Sequence, residues 1–136
     1  MARLILDAGV LIGIVRGRVA TAAIISDEDD VAVPAVVVAE YLAGVAQDHE
    51  PGRQVVQRAF LDKLLITTPV VPYDIDIAGK HVELLLHTRR DGRPRGAHDL
   101  IIAATAIDTD RTLLTTDGKA GFDELPGLTV RLVDQS

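Results

Sequence analysis

Short apolar runs alternate with longer stretches of helical spacing along the whole chain. Leu4–Leu6 predicts a first strand that turns at Asp7 and Gly9, and Val10–Val15 and Val19–Ile25 predict helices. After the acidic run Asp27–Asp30 comes a second strand, Val31–Val33. Pro34 then opens a helix to about Ala46, since the N–H it lacks is not needed in a first helical turn. His49–Gly52 reads as a break. Gln54–Leu65 predicts a helix with Val55, Val56, Ala59 and Phe60 as its apolar stripe, and Ile66–Val70 predicts a third strand. Asp74 caps a helix from Ile75 to about Arg90. Asp91–Gly96 is a loop rich in Arg and Gly, and a helix runs from His98 or Asp99 to about Asp108. Thr112–Thr115 is a strand, Gly118–Gly121 a loop or short helix, and Leu128–Leu132 a last strand.

Strands that are apolar without alternation, separated by helices, imply a mostly parallel sheet covered on both faces, an α/β fold. With 136 residues and no repeat or linker, a single domain over 1–136 is expected. In such a sheet the ligand crevice lies at the carboxyl ends of the strands.

Composition narrows the chemistry. Without cysteine there are no disulfides, thiolate nucleophiles or Cys-based zinc sites, and a cytoplasmic setting is expected. Asp7 interrupts the apolar stretch Leu4–Val15, against a signal peptide, and no run reaches the roughly 18 residues of a membrane span. Aromatics are only 3% of residues, which argues against extensive base stacking. The net charge of −6 rules out a basic field over the whole surface, though a divalent metal in an acidic site can still bridge to phosphate.

Four acids stand in unusual places. Asp7 directly follows the first strand, and Asp117 follows Thr112–Thr115 in the same way, although Asp-Gly at 117–118 is also an ordinary turn signal. Glu40 is the only charged residue between Val31 and Gln47, on a helix apolar on nearly every face. A carboxylate buried there needs a partner or a metal; a narrow exposed stripe or an Arg partner is the alternative. Asp99 begins a helix whose next eight residues, Leu100–Ile107, carry no charge. It reads either as a helix-start acid favoured by the dipole or as a carboxylate aimed into the crevice. Four carboxylates gathered at one edge repel one another, and hard cations such as Mg²⁺ or Mn²⁺ relieve that repulsion.

The segments LILDAGVLI (4–12), PAVVVAEYLAG (34–44), GAHDLIIAATA (96–106) and LLTTDGKAGFDELPGL (113–128) resemble PIN domains, and more closely the VapC-like toxins of VapBC toxin–antitoxin pairs. The resemblance implies a three-layer α/β/α fold with a short parallel sheet. It implies endonucleolytic cleavage of RNA dependent on Mg²⁺ or Mn²⁺, with Asp7, Glu40 and Asp99 as the principal metal-site acids and Asp117 as the fourth. It also implies a small VapB-like antitoxin that blocks the site, and a homodimer. Thr115 or Thr116 matches a hydroxyl position beside the fourth acid. Where the family carries hydroxyl or amide residues after the first Asp, this chain has Ala8 and Gly9, so the group that orients Asp7 is expected to be missing. A catalytically silent PIN-like module that binds RNA or protein is the alternative.

Arg89, Arg90, Arg93 and Arg95 surround Asp91 just before Asp99 and suggest a phosphate-contacting edge; a solvated helix end is the other reading. His49, His81, His87 and His98 form no metal-ligand pattern. A haloacid-dehalogenase-like site needs an acid where Gly9 stands, and a dinucleotide fold needs a Gly-rich loop after the first strand, which Ala8-Gly9-Val10 does not supply.

Overall fold

A computed structural model covers residues 1–136. The elements run β1 (Arg3–Leu6), α1 (Ala8–Val15), α2 (Thr21–Ile24), β2 (Asp30–Pro34), α3 (Ala35–Gln47), α4 (Pro51–Thr67), β3 (Val70–Val71), α5 (Ile75–Asp91), α6 (Ala97–Asp108), β4 (Thr112–Thr115) and β5 (Val130–Leu132). Two short 3₁₀ turns, Gly118–Ala120 and Phe122–Glu124, join β4 to β5.

The sheet order is β3-β2-β1-β4-β5, and every pairing is parallel. Helices flank it as the strand pattern predicts. Leu4, Ile5 and Leu6 are all buried, as are Leu113, Leu114 and Thr115, because both faces of these central strands are covered. Each such buried Leu or Ile stabilises the fold by about 1.5–3 kcal/mol, which holds the register Ile5↔Leu113 and Leu6↔Leu114. The chain builds outward from β1 through β2 to β3, then crosses back to add β4 and β5 on the other side. The order therefore reverses between β1 and β4, and the carboxyl ends of these two strands frame the crevice.

Three element boundaries differ from the sequence pattern. The helix expected over Val19–Ile25 shrinks to Thr21–Ile24. Helix α4 begins at Pro51, inside the expected break, because the Glu50 carboxylate accepts from the N–H groups of Gly52 (2.9 Å) and Arg53 (2.7 Å) and Pro51 fits the first turn. It then runs through Thr67, absorbing the first two residues of the expected third strand, and only Val70–Val71 pairs with Val33–Pro34. Its inward face is Leu61, with Leu64 and Leu65 half-buried, whereas Val55, Val56 and Ala59 face solvent.

Candidate active site

The chain's turn out of β1 places the first acid. Asp7 N–H donates to Leu114 O (3.0 Å), extending the β1–β4 ladder by one rung. Asp7 is also the N-cap of α1, where its Oδ1 accepts from Ala8 N–H at 2.8 Å. Its Oδ2 accepts from the Thr115 hydroxyl at 2.8 Å, and Thr115 Oγ1 in turn accepts from Asp117 N–H at 3.1 Å. The last residue of β4 therefore links the first and fourth acids. Asp117 Oδ1 is held by Lys119 N–H (3.0 Å) and Ala120 N–H (3.1 Å), so this exposed carboxylate also caps the 3₁₀ turn behind it.

The other two acids come from helices. Glu40 lies in the middle of α3, half-buried, with Oε2 at 3.5 Å from His98 Nδ1; its Oε1 is buried and has no partner. Asp99 sits in the first turn of α6 behind the N-cap Gly96, with its carboxyl folded against that glycine. The approach leaves little room for a side chain at 96.

Burial pushes the carboxyl pKa of all three inner acids upward. For Asp7 the two hydrogen bonds oppose the rise and the Asp117 charge adds to it. For Glu40 burial leads and the Asp7 charge follows; His98 opposes, and Asp99 adds a little more. For Asp99 burial leads, then the charges of Asp7 and Asp117, with His98 and Arg95 opposing. Asp7, Glu40 and Asp99 thus lie within range of one another's charge, and Asp117 within range of Asp7 and Asp99.

The donor set suits a divalent cation: all oxygen, mutually repulsive, and including a buried carboxylate atom with no proton donor. No three of the acids converge tightly enough to form a ready-made chelate. A cation held here by one or two carboxylates keeps several waters, the habit of Mg²⁺.

Two expectations are corrected. The orienting group thought missing with Ala8 and Gly9 is supplied from the neighbouring strand by Thr115, which is 1% exposed. A Cβ at Gly9 would run into the Thr116 hydroxyl, so this position takes no side chain without moving Thr116. The arginine loop also divides. Arg95 is buried at 5% exposure and donates to Ala120 O (3.0 Å), Gly121 O (2.9 Å) and Glu124 Oε2 (3.0 Å). Arg93 pairs with the same Glu124. Both are engaged with the chain itself, and they hold the Glu124 carboxyl below its usual range, Arg95 first. Gly121 has φ +67°, and a Cβ there would press on the Arg95 guanidinium, so glycine is required for the clasp. Arg89 and Arg90 are exposed in the last turn of α5, where positive charge complements the helix end. The largest grooves lie elsewhere; one of about 570 Å³ between α3 and α4, walled by Leu42, Val45, Ala46, Pro51, Val55 and Ala59, contains none of the four acids.

A family model described as PIN domain matches residues 4–128. Ribonuclease VapC of Rickettsia bellii is 28% identical over 130 residues, covering 96% of this chain and 96% of that protein. Among solved structures, VapBC2 from Rickettsia felis, bound to a DNA fragment from its promoter, superposes with a TM-score of 0.84 at 20% identity, covering 97% of this chain and 99% of the other. VapBC-5 from Mycobacterium tuberculosis, a toxin–antitoxin system, gives a TM-score of 0.76 at 27% identity, covering 98% and 99%.

Proposed function

The chain belongs to the PIN domain family, and from that premise we propose that it is a metal-dependent endoribonuclease, the toxin of a VapBC-type pair. The observation that carries the reading is the gathering of Asp7, Glu40, Asp99 and Asp117 at one sheet edge, with Glu40 Oε1 buried and unpaired. Asp7, Glu40 and Asp99 are the residues to hold Mg²⁺ or Mn²⁺, with Asp117 completing the rim. A bound divalent ion supplies an activated water and neutralises charge on the phosphodiester. Thr115 fixes the orientation of Asp7 and favours its charged form against the effect of burial, since a hydroxyl that donates to Asp7 favours the carboxylate. His98, exposed beside Glu40, balances part of that acid's charge when protonated. Arg89 and Arg90 remain the free cations of the loop region for contact with RNA phosphates, and Thr116 stands beside the acids with a hydroxyl.

The relatives' names support an antitoxin partner, and the apolar groove between α3 and α4 is a surface suited to one. A homodimer is supported by α5, where Ile75, Val82 and Leu86 form one exposed apolar stripe (84%, 52% and 42% exposed). The proposed setting is the cytoplasm, where cellular RNA is met; no helix of the chain is long and apolar enough to cross a membrane.

The test is cleavage of a mixed RNA pool by wild type and Asp7→Asn, each with Mg²⁺, Mn²⁺ or EDTA. Products that need the metal and vanish with the variant support the reading. Identical products in every lane mean a contaminating nuclease and defeat it. RNA binding without cleavage favours the silent module.

A further inference from the structure

Beside the acid cluster, on the β5 side of Asp117, lies a second concavity of about 210 Å³. Thr115 and Asp117 line it, so it opens directly off the proposed reaction centre. Its floor is apolar: Phe122 from the 3₁₀ turn, with Val130 and Leu132 from β5. Leu132, on the edge strand β5, is 55% exposed and adds apolar surface to the slot. Phe122 is 2% exposed, so its ring seals the floor and offers no stacking face. At the rim stands Asp123, exposed and untouched by the nearby arginines, both of which go to Glu124 instead.

We propose that this slot receives the nucleobase next to the cleaved phosphodiester, and that Asp123 selects guanine there. The inference rests on the ribonuclease reading above and adds a base preference to it. An apolar floor with a few polar groups at its mouth, here Asp117 and Asp123, is the usual make-up of a small-ligand site. Single-stranded RNA is read by bases splayed out of the stack and hydrogen-bonded along their Watson–Crick edges. An ionised carboxylate only accepts, so it discriminates by donors. Guanine alone presents two adjacent ones, the N1 imino and N2 amino groups, and can meet both carboxylate oxygens. Adenine and cytosine offer one amino group, and uracil one imino group. With aliphatic side chains on the floor and no ring to stack on, the edge contact decides which base is held.

The experiment is amide NMR on the uniformly ¹⁵N-labelled full chain in EDTA, titrated with GMP, AMP, CMP or UMP. All four carry the same phosphate, so differences report the base. GMP is expected to move the amides of Phe122, Asp123 and Leu132 with about tenfold higher affinity than the other three, and Asp123→Asn to reduce that advantage to about twofold. Asp62→Asn, an exposed acid on α4, should leave it unchanged. Equal responses to all four nucleotides, shifts elsewhere on the chain, or an undiminished GMP preference in Asp123→Asn overturn the proposal. The cleavage assay keeps the two readings apart. Metal-dependent cleavage with no base preference removes the guanine slot alone, whereas GMP selectivity without cleavage removes the nuclease reading, and with it the slot's place beside a cleaved bond, and leaves only a guanine-binding site.

Discussion

Replacing Glu40 with glutamine should make the metal-free protein more stable while weakening its hold on metal. Glu40 is half-buried, repelled by Asp7 and Asp99, and balanced only by His98 at 3.5 Å. No strong hydrogen bond is lost in the exchange, and a mid-helix position carries little helix-end charge. Like charges at this degree of exposure cost about 0.5–1 kcal/mol after solvent screening. That corresponds to a rise in Tm of about 2–5 °C for a chain of this length. The sign with pH follows from the raised pKa of Glu40 in the folded chain. Ionisation opposes folding above that raised value and ceases to oppose it as pH falls through it. The advantage of Glu40→Gln should therefore be full near about pH 8 and fade toward about pH 4, where the wild-type carboxyl is protonated in both states. Thermal denaturation in EDTA across that range measures it. A repeat with excess Mg²⁺ should lift the wild type more than the variant, because ligand binding stabilises by mass action. A variant that melts at or below wild type in EDTA near neutral pH, with an unchanged Mg²⁺ response, would refute the view that Glu40 is a strained carboxylate kept for a cation.

Two further substitutions probe the surroundings. Thr115→Val keeps shape but removes the proton donated to Asp7; the Asp7 carboxyl should titrate still higher, and metal affinity measured by calorimetry should fall about 10–100-fold, with Thr115→Ser restoring it. Arg95→Ala removes the clasp on Ala120 and Gly121 and should lower stability by about 2–4 kcal/mol in denaturant unfolding, since it leaves two part-buried carbonyls unanswered, while Glu124 keeps Arg93.

Most of the strands and the acid positions were legible because their signals are local. Asp7 and Asp117 each follow a run of apolar residues, and Glu40 is conspicuous as the one charge in a helix of Val and Ala. Two of the misreadings turned on partners distant in the chain. Arg95 looks like a free cation until Glu124, 29 residues later, folds over it. The hydroxyl that orients Asp7 comes from 108 residues away, so a reading of the adjacent Ala8 and Gly9 finds nothing. Ile66 and Thr67 have the β-branched look of a strand, yet they form the exposed last turn of α4, which follows its inward row Leu61, Leu64 and Leu65.

The rung joining Asp7 to Leu114, with Thr115 the next residue along β4, ties the reactive centre to the backbone ladder of the two middle strands. Such a ladder cannot slide by one position without turning a whole strand inside out. The spacing of Asp7 from Thr115 is therefore as rigid as the sheet, while the turns at 118–124 are held to the rest of the chain largely through the side chains of Asp117, Arg93 and Arg95. Changes in the turns beyond Ala120 can therefore alter the surface beside the four acids without changing the spacing of Asp7 from Thr115.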